Sequence, residues 1–315
     1  MSGAEEVTGP AEDSALGETP TAALAAVLQA LDLERTGEDT FVGTSLPQLN
    51  GRVYGGQVLA QSLIAAGRTV ADAGLDAARL PHSVHGYFLR PGHLEVPITF
   101  EVERMRDGRS FSARRTHAIQ KGKPILSMIT SFQVSQEGLE HAETAPDVPA
   151  PEDLPSAVDL FNGLDHPAAR FLARTGAFDV RHVERHLYLG AGGPAQETQA
   201  LWMRARGRVE GDELLHRALL AYSCDQVMLE PVMRRHELGW MSPGLSVASL
   251  DHAMWWHRPV RTDEWLLYVQ SSPSAQGGRG LGIAKVFDRA GALVATVSQE
   301  GMVRVPADGA SRTGG

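Results

Sequence analysis

The sequence predicts an α+β protein built from two tandem units, each a long helix laid across a curled antiparallel sheet. Three observations carry that expectation. A helix opened by Gly55-Gly56 is followed by a meander of alternating strands. After a proline-rich stretch the same order returns, helix first and meander second. In both halves an Arg-Pro pair, Arg90-Pro91 and Arg258-Pro259, closes the first strand after the helix. These anchors imply a duplication with a period of about 165 residues, a unit that must stack against its copy to bury its apolar face.

Residues 1–20 are rich in Glu, Ala, Gly and Pro and poor in large apolar groups, so a disordered acidic tail is expected there. Residues 21–135 form the first unit. Thr19-Pro20 has the form of a cap with proline in the first helical turn, and Leu24, Val27, Leu28 and Leu31 follow at helical spacing. Phe41-Val42-Gly43 is a short strand. In the helix opened at Gly55, Val58, Leu59, Ser62, Leu63 and Ala66 share one stripe. Val84 to Leu89 is the next strand, and Val96, Ile98, Phe100 and Val102 alternate in the one after. Asp107-Gly108 and Lys121-Gly122-Lys123 are turn signals flanking a strand from Arg109 to Gln120, and Pro124 to Val134 ends the unit.

From 136 to 177 the chain reads as a linker, extended through Pro146, Pro149, Pro151 and Pro155 and helical from Val158 to Leu172. The second unit spans 178–305. Phe178 to Leu187 and Leu201 to Arg204 are strand-like. One helix is expected from Asp212 to Leu229, with Leu215, Ala218, Leu219, Tyr222 and Leu229 inward. Strands at 246–256, 264–272, 279–287 and 292–304 follow, the last two joined by Asp288-Arg289-Ala290-Gly291. Residues 306–315 read as a flexible tail.

Composition narrows the function. With 43% apolar and 21% charged residues the 315-residue chain is of globular type, and no apolar run approaches the ~20 residues of a membrane helix. Glu5, Glu6, Glu12, Asp13 and Glu18, unopposed by Lys or Arg, supply more than half of the net charge of -9. The body is then only mildly acidic, and neither nucleic acid nor a membrane is expected as a partner. The acidic start is the reverse of an import sequence, the last residues are not a peroxisomal signal, and the single cysteine, Cys224, suits a reducing cytoplasm.

The densest chemistry lies in Ser249-Leu-Asp-His-Ala-Met-Trp-Trp-His-Arg-Pro259. Asp225 is the most informative single residue. Tyr222, Ala221, Leu229 and Ala218 surround it at helical spacing, which puts a carboxylate on an apolar stripe. Such a group suits orienting or deprotonating water; the alternative is an Asp near a helix end that turns to solvent. Ser249 and Gln299 are weak signals alone, the alternative being plain hydrogen-bonding residues of a strand; they matter because each sits on a strand expected to cross that helix. Carboxylate, hydroxyl and amide together can hold one water by three hydrogen bonds and direct it at a carbonyl.

Other features rank lower. Cys224 points about 100° away from Asp225 around the helix and reads as a structural thiol. His182 and His186 lack the order of a zinc motif, so no metal is expected, and Gly277 to Gly282 is followed by no helix and reads as a hairpin loop. Gly55-Gly56-Gln57 has no inward Asp nearby, so the first unit reads as the structural half. His82 and His85 read as core or interface histidines. Arg90, Arg114 and Arg115 are candidates for phosphate contacts, with solvated strand positions as the alternative. No Gly-x-Ser-x-Gly elbow occurs.

Phe-Leu-Arg-Pro-Gly at 88–92, Asp-Gly-Arg-Ser-Phe-Ser-Ala-Arg-Arg at 107–115, Asp-His-Ala-Met-Trp-Trp-His-Arg-Pro at 251–259, Glu-Trp-Leu-Leu-Tyr at 264–268 and Gln-Glu-Gly at 299–301 resemble the acyl-CoA thioesterase II (TesB-type) family over roughly residues 22–305. The resemblance implies a double hotdog, with acyl-CoA as substrate, no cofactor, and assembly into a homo-oligomer, a dimer or tetramer. It also implies catalysis by an Asp on the second hotdog helix, a Thr before Asp-His-x-Met-Trp and a Gln before Glu-Gly. Those positions match Asp225, Ser249 and Gln299, with water attacking the thioester directly. Ser249 in place of Thr is the one departure; it keeps the hydroxyl and loses the methyl that stiffens the rotamer. A noncatalytic acyl-CoA-binding protein and a hotdog-type enoyl-CoA hydratase stay open as alternatives. The hydratase predicts an Asp-His pair on a short loop-helix, which the sequence lacks.

Overall fold

The computed structural model describes residues 17–75, 77–188, 190 and 194–305. Of the two expected tails, 1–16 and 306–315 lie outside the described residues. Helix α1 (Ala22–Leu31) leads through β1 (Glu34–Arg35) and β2 (Thr40–Gly43) into the long helix α2 (Gly55–Ala71). The cap of α1 is Thr21, whose hydroxyl accepts from Leu24 N–H, two residues beyond the expected Thr19-Pro20. The meander β3 (Arg79–Phe88), β4 (Ile98–Asp107), β5 (Phe111–Gln120) and β6 (Lys123–Val134) follows. Its last turn is a two-residue hairpin, with Lys121 at φ 51° and Gly122 at φ 69°, the left-handed pair that matches strand twist.

The expected helical patch is two short helices, α3 (Ala157–Asn162) and α4 (Pro167–Thr175); Pro167 starts the second. Then come β7 (Phe178–His182), β8 (Thr198–Ala205), α5 (Glu213–Cys224), α6 (Glu230–Arg235), β9 (Ser246–Ser249), β10 (Asp251–Trp256), β11 (Leu266–Gln276), β12 (Arg279–Asp288) and β13 (Leu293–Arg304). The Gly277-Gly278 stretch is a hairpin turn, both residues at positive φ (62° and 74°), between β11 and β12.

All thirteen strands belong to one sheet, in the order β1-β2-β4-β5-β6-β3-β10-β13-β12-β11-β8-β7, with β9 also on β13. The duplication is visible in that order. Outward from the central seam, β3, β6, β5, β4, β2 on one side mirror β10, β13, β12, β11, β8 on the other. At the seam β3 and β10 pair antiparallel, from Tyr87↔Asp251 to Ser83↔Trp255. The helices α2 and α5 lie together on one face of this sheet, each burying an apolar stripe. Leu59 and Leu63 from α2, Leu219 and Leu220 from α5, and Val84 and Met254 from the seam strands share one core. The linker covers part of the opposite face. Val148 and Leu154 pack near Trp202, Trp265 and Phe287, and Trp202 Nε1–H donates to Pro149 O at 2.9 Å.

The strand expected from Phe178 to Leu187 ends at His182. Two further departures from the expected boundaries lie beside Asp225 and Ser249. The helix expected from Asp212 to Leu229 stops at Cys224, with Asp225 as its C-cap, and resumes only at Glu230. The Tyr222 carbonyl, which the Gln226 N–H would reach in a continued helix, takes the Tyr54 hydroxyl instead, and the Gln226 N–H turns to Ser223 O; Pro231 stands in the first turn of α6. The strand expected at 246–256 is two strands separated by Leu250. Four steps lead from Ser249 to Ala253, but their partners Gly301 and Ser298 are only three steps apart. The extra residue is a β-bulge. The Glu300 N–H at that point donates to the Asp251 side chain at 2.8 Å.

Candidate active site

Asp225 emerges where α5 ends, at the wall of a cleft of about 1010 Å³. The backbone of Asp225 is still helical (φ -57°, ψ -24°), so its carboxylate leaves the last turn of α5 toward the cleft. The bulge brings Ser249 to the same wall. In an unbroken strand Ser249 would share the outward parity of Asp251, Ala253 and Trp255. One added residue turns it to the inward side, with buried His252, Met254 and Trp256. Gln299 comes from the neighbouring β13, on the inward parity of Val297 and Gly301, and is fully buried.

The three side chains meet. Ser249 Oγ–H donates to Asp225 Oδ1 at 2.7 Å. Gln299 Nε2–H donates to the same oxygen at 2.8 Å and to Ser249 Oγ at 2.8 Å. The other carboxylate oxygen, Oδ2, accepts the backbone N–H of Gly56 at 2.8 Å. An ionised carboxylate offers roughly four lone-pair sites, so three acceptances leave about one for a further donor.

Gly56 is a residue that sequence reading did not place here, and it ties the first unit, read as the structural half, to Asp225. The first turn of α2 reaches across to the end of α5. A Cβ on Gly56 would stand 2.3 Å from Tyr222 O, and one on Gly55 would stand 2.7 Å from Asp225 Oδ2, so both approaches require glycine. Tyr54, just before α2, holds the same junction: its hydroxyl donates to Tyr222 O at 2.6 Å. Burial first, and the Asp225 charge second, push the Tyr54 phenol well above its ordinary value, so it stays a neutral donor. His252 also adjoins the cluster, with Nδ1 2.6 Å from Gln299 Oε1. The Gly55-Gly56 pair was the only sequence signal of this junction, and it reads equally well as a helix opening.

Apolar groups of the linker helices, including Phe161, Leu164 and Leu172, line the cleft together with Tyr188, Leu229 and Trp240. Arg52 and Arg90 line it as well. Of the arginines singled out in the sequence, Arg114 is excluded from ligand contact. It is fully buried and donates to Thr69 Oγ1 and Asp107. Arg115 pairs with Glu103 at 3.0 Å. Cys224 is a buried free thiol, pushed up by burial. His182 bonds Glu230 at 2.8 Å, and His186 stacks on Tyr188. His82 bonds Ser131, and His85 packs edge-on against Trp255. Among the described residues no group of three or more His, Cys, Asp or Glu is arranged to hold a metal, and no helix is long and apolar enough to cross a membrane.

Comparison with known proteins gives the family and the fold. Residues 45–133 match the model of the acyl-CoA thioesterase N-terminal domain, and residues 142–303 that of the C-terminal domain. Acyl-CoA thioesterase 2 of Haemophilus influenzae is 36% identical over 283 residues, covering 88% of this chain and 96% of that protein. The crystal structure of acyl-CoA thioesterase II TesB2 from Mycobacterium marinum superposes with a TM-score of 0.74 at 41% identity, covering 90% of this chain and 99% of that one. A hot dog fold protein of unknown function from Alicyclobacillus acidocaldarius, 21% identical over 90% of this chain and 99% of its own, has a TM-score of 0.72 and shows the shared fold alone. The chain is a tandem hotdog and belongs to the acyl-CoA thioesterase family.

Proposed function

We propose that this acyl-CoA thioester hydrolase splits fatty acyl-CoA into free acid and coenzyme A by direct attack of a water held at Asp225, Ser249 and Gln299. The observation that carries the proposal is the closed hydrogen-bond triangle of those three groups at the cleft wall. The remaining lone-pair site of Asp225 accepts one proton of the water, and Ser249 and Gln299 hold the carboxylate and the water in line with the thioester carbonyl. As the water oxygen bonds to the carbonyl carbon, Asp225 takes its proton. The C–S bond then breaks, and the coenzyme A thiolate leaves and is protonated.

The Gly56 N–H keeps Oδ2 oriented through this cycle, so the first unit contributes a backbone donor while residues 178–305 carry the reacting side chains. A covalent acyl-Ser249 route ranks below it, because the nearby imidazole of His252 bonds Gln299 and is not placed as a base for Ser249. The acyl chain lies among Phe161, Leu164, Leu172 and Trp240, and Arg52 and Arg90 meet the phosphates of the nucleotide end. We further infer a cytoplasmic enzyme. It assembles through the uncovered outer face of the sheet, where Tyr87 and Ile129 are exposed.

The test is release of free thiol from a series of medium- and long-chain acyl-CoAs. Turnover is expected, and Asp225→Asn, Ser249→Ala and Gln299→Ala should each lower kcat by about tenfold or more, at ~1.4 kcal/mol per tenfold. Binding without turnover would leave a carrier rather than an enzyme. Near wild-type rates in any two variants would remove the site.

A further inference from the structure

We propose that His252 is a positioning residue. As the Nδ1–H tautomer it holds the Gln299 carboxamide so that its NH2 group, and not its oxygen, faces Asp225 and Ser249. The inference rests on the water-attack mechanism proposed above and adds a residue to which that mechanism gives no role.

Hydrogen-bond polarity along the chain of contacts dictates the assignment. Asp225 Oδ1 already accepts from Ser249 Oγ–H, and a carboxylate has no proton to give. The Gln299 atom 2.8 Å from that oxygen must therefore be the nitrogen; a flipped amide would set two acceptors face to face. Gln299 Oε1 then points the other way, at His252 Nδ1, 2.6 Å distant. An amide oxygen only accepts, so Nδ1 carries the hydrogen.

The opposite side of the ring gives independent support. His252 is fully buried, and its Nε2 has no hydrogen-bond partner among the described residues. A proton placed on Nε2 would be a buried donor with nothing to receive it, which is costlier than a bare lone pair. Both ends of the imidazole thus select the same tautomer. Burial lowers the imidazole from its ordinary value, which keeps the ring neutral at physiological pH. The backbone holds the ring in place, since β10 pairs with both β3 and β13. Through Gln299 the imidazole settles the direction of two hydrogen bonds at the reacting centre without touching the water.

Thiol release by single and double variants tests this. His252→Ala is expected to lower kcat by about tenfold or more with KM changed little, as for other residues that orient a site group from behind. His252→Asn, whose side-chain N–H can take the place of Nδ1–H, is expected to restore most of the rate. His252→Gln, which puts its N–H near the Nε2 position, is expected not to restore it. This pair of similar volume keeps the test decisive if the alanine variant fails to fold. In a Gln299→Ala background, His252→Ala should cost nothing further, since its effect passes through that amide. In the wild-type enzyme, 15N spectra of labelled histidine should show a protonated Nδ1 and a bare Nε2. A wild-type rate in His252→Ala beside a slow Gln299→Ala would overturn the positioning role alone, as would a full multiplicative loss in the double variant or a protonated Nε2. A wild-type rate in Gln299→Ala would overturn the water site itself, and this role with it.

Discussion

Glu230 lies at 0% exposure on the first turn of α6, and it keeps its charge there because three donors converge on it. Gln199 Nε2–H and Trp240 Nε1–H each donate at 3.1 Å, and His182 Nε2 stands 2.8 Å away. Burial by itself would raise this carboxyl; the attraction of His182 and the hydrogen bonds outweigh burial and bring it below its ordinary 4.5. A depressed carboxyl contributes stability that is complete above its unfolded value and is lost as pH falls through the lower folded value. Glu230→Gln should therefore lower the melting temperature at pH 7, by the equivalent of about 1–3 kcal/mol, and flatten the loss of stability below pH ~4.5. Calorimetry from pH 7 to pH 3 reads both effects. An unchanged acid limb would mean that Glu230 is already protonated in the fold. The same carboxylate pins Trp240, a wall of the cleft, so its ionisation also bears on the shape of the substrate space.

Two irregular elements bring Asp225 and Ser249 together. The Tyr54 hydroxyl occupies the Tyr222 carbonyl, and α5 stops with Asp225 as its cap at the cleft wall. The bulge at Leu250, opposite which the Glu300 N–H donates to Asp251, turns Ser249 inward. The start of α2 is the third member, and its glycines answer to proximity rather than to turn geometry. Gly56→Ala would drive a methyl to 2.3 Å from the Tyr222 carbonyl, a backbone atom with no flexible retreat. The expected result is a loss of about 1–3 kcal/mol of stability by thermal denaturation, together with a lower kcat as the Gly56 N–H draws away from Asp225. Unchanged values of both would show that the two helix ends stand further apart. Apolar periodicity located α2 and α5 well, but it carried α5 on to Leu229, because Leu229 falls on the same stripe whether or not the helix is continuous.

At the scale of the molecule, the halves share a sheet and a core. The β3–β10 seam, the packing of α2 on α5 and the Tyr54 hydroxyl on Tyr222 O leave no boundary along which one half could open alone. One cooperative transition is expected. All five tryptophans lie in the second half, at 202, 240, 255, 256 and 265, whereas strands and helices of both halves contribute to circular dichroism. Denaturation followed by tryptophan fluorescence and by far-ultraviolet circular dichroism should give coincident curves. A dichroism transition that precedes the fluorescence change would reveal an independently melting first half.

Local patterning in the chain was enough for the tandem helix-and-meander plan and the hairpin turns at Lys121-Gly122 and Gly277-Gly278, and it marked Asp225, whereas Ser249 and Gln299 gained their weight from the family resemblance. Periodicity and turn chemistry act between residues a few positions apart, and sequence displays those directly. Tertiary structure alone decided how the residues meet. Ser249 faces Asp225 through a one-residue register slip against β13, and Gly56 bonds a carboxylate 169 residues further along the chain. The Gln299 amide lies between the Asp225 carboxylate and a buried ring on a neighbouring strand. Each depends on the close approach of segments remote in sequence, and no local preference encodes that approach.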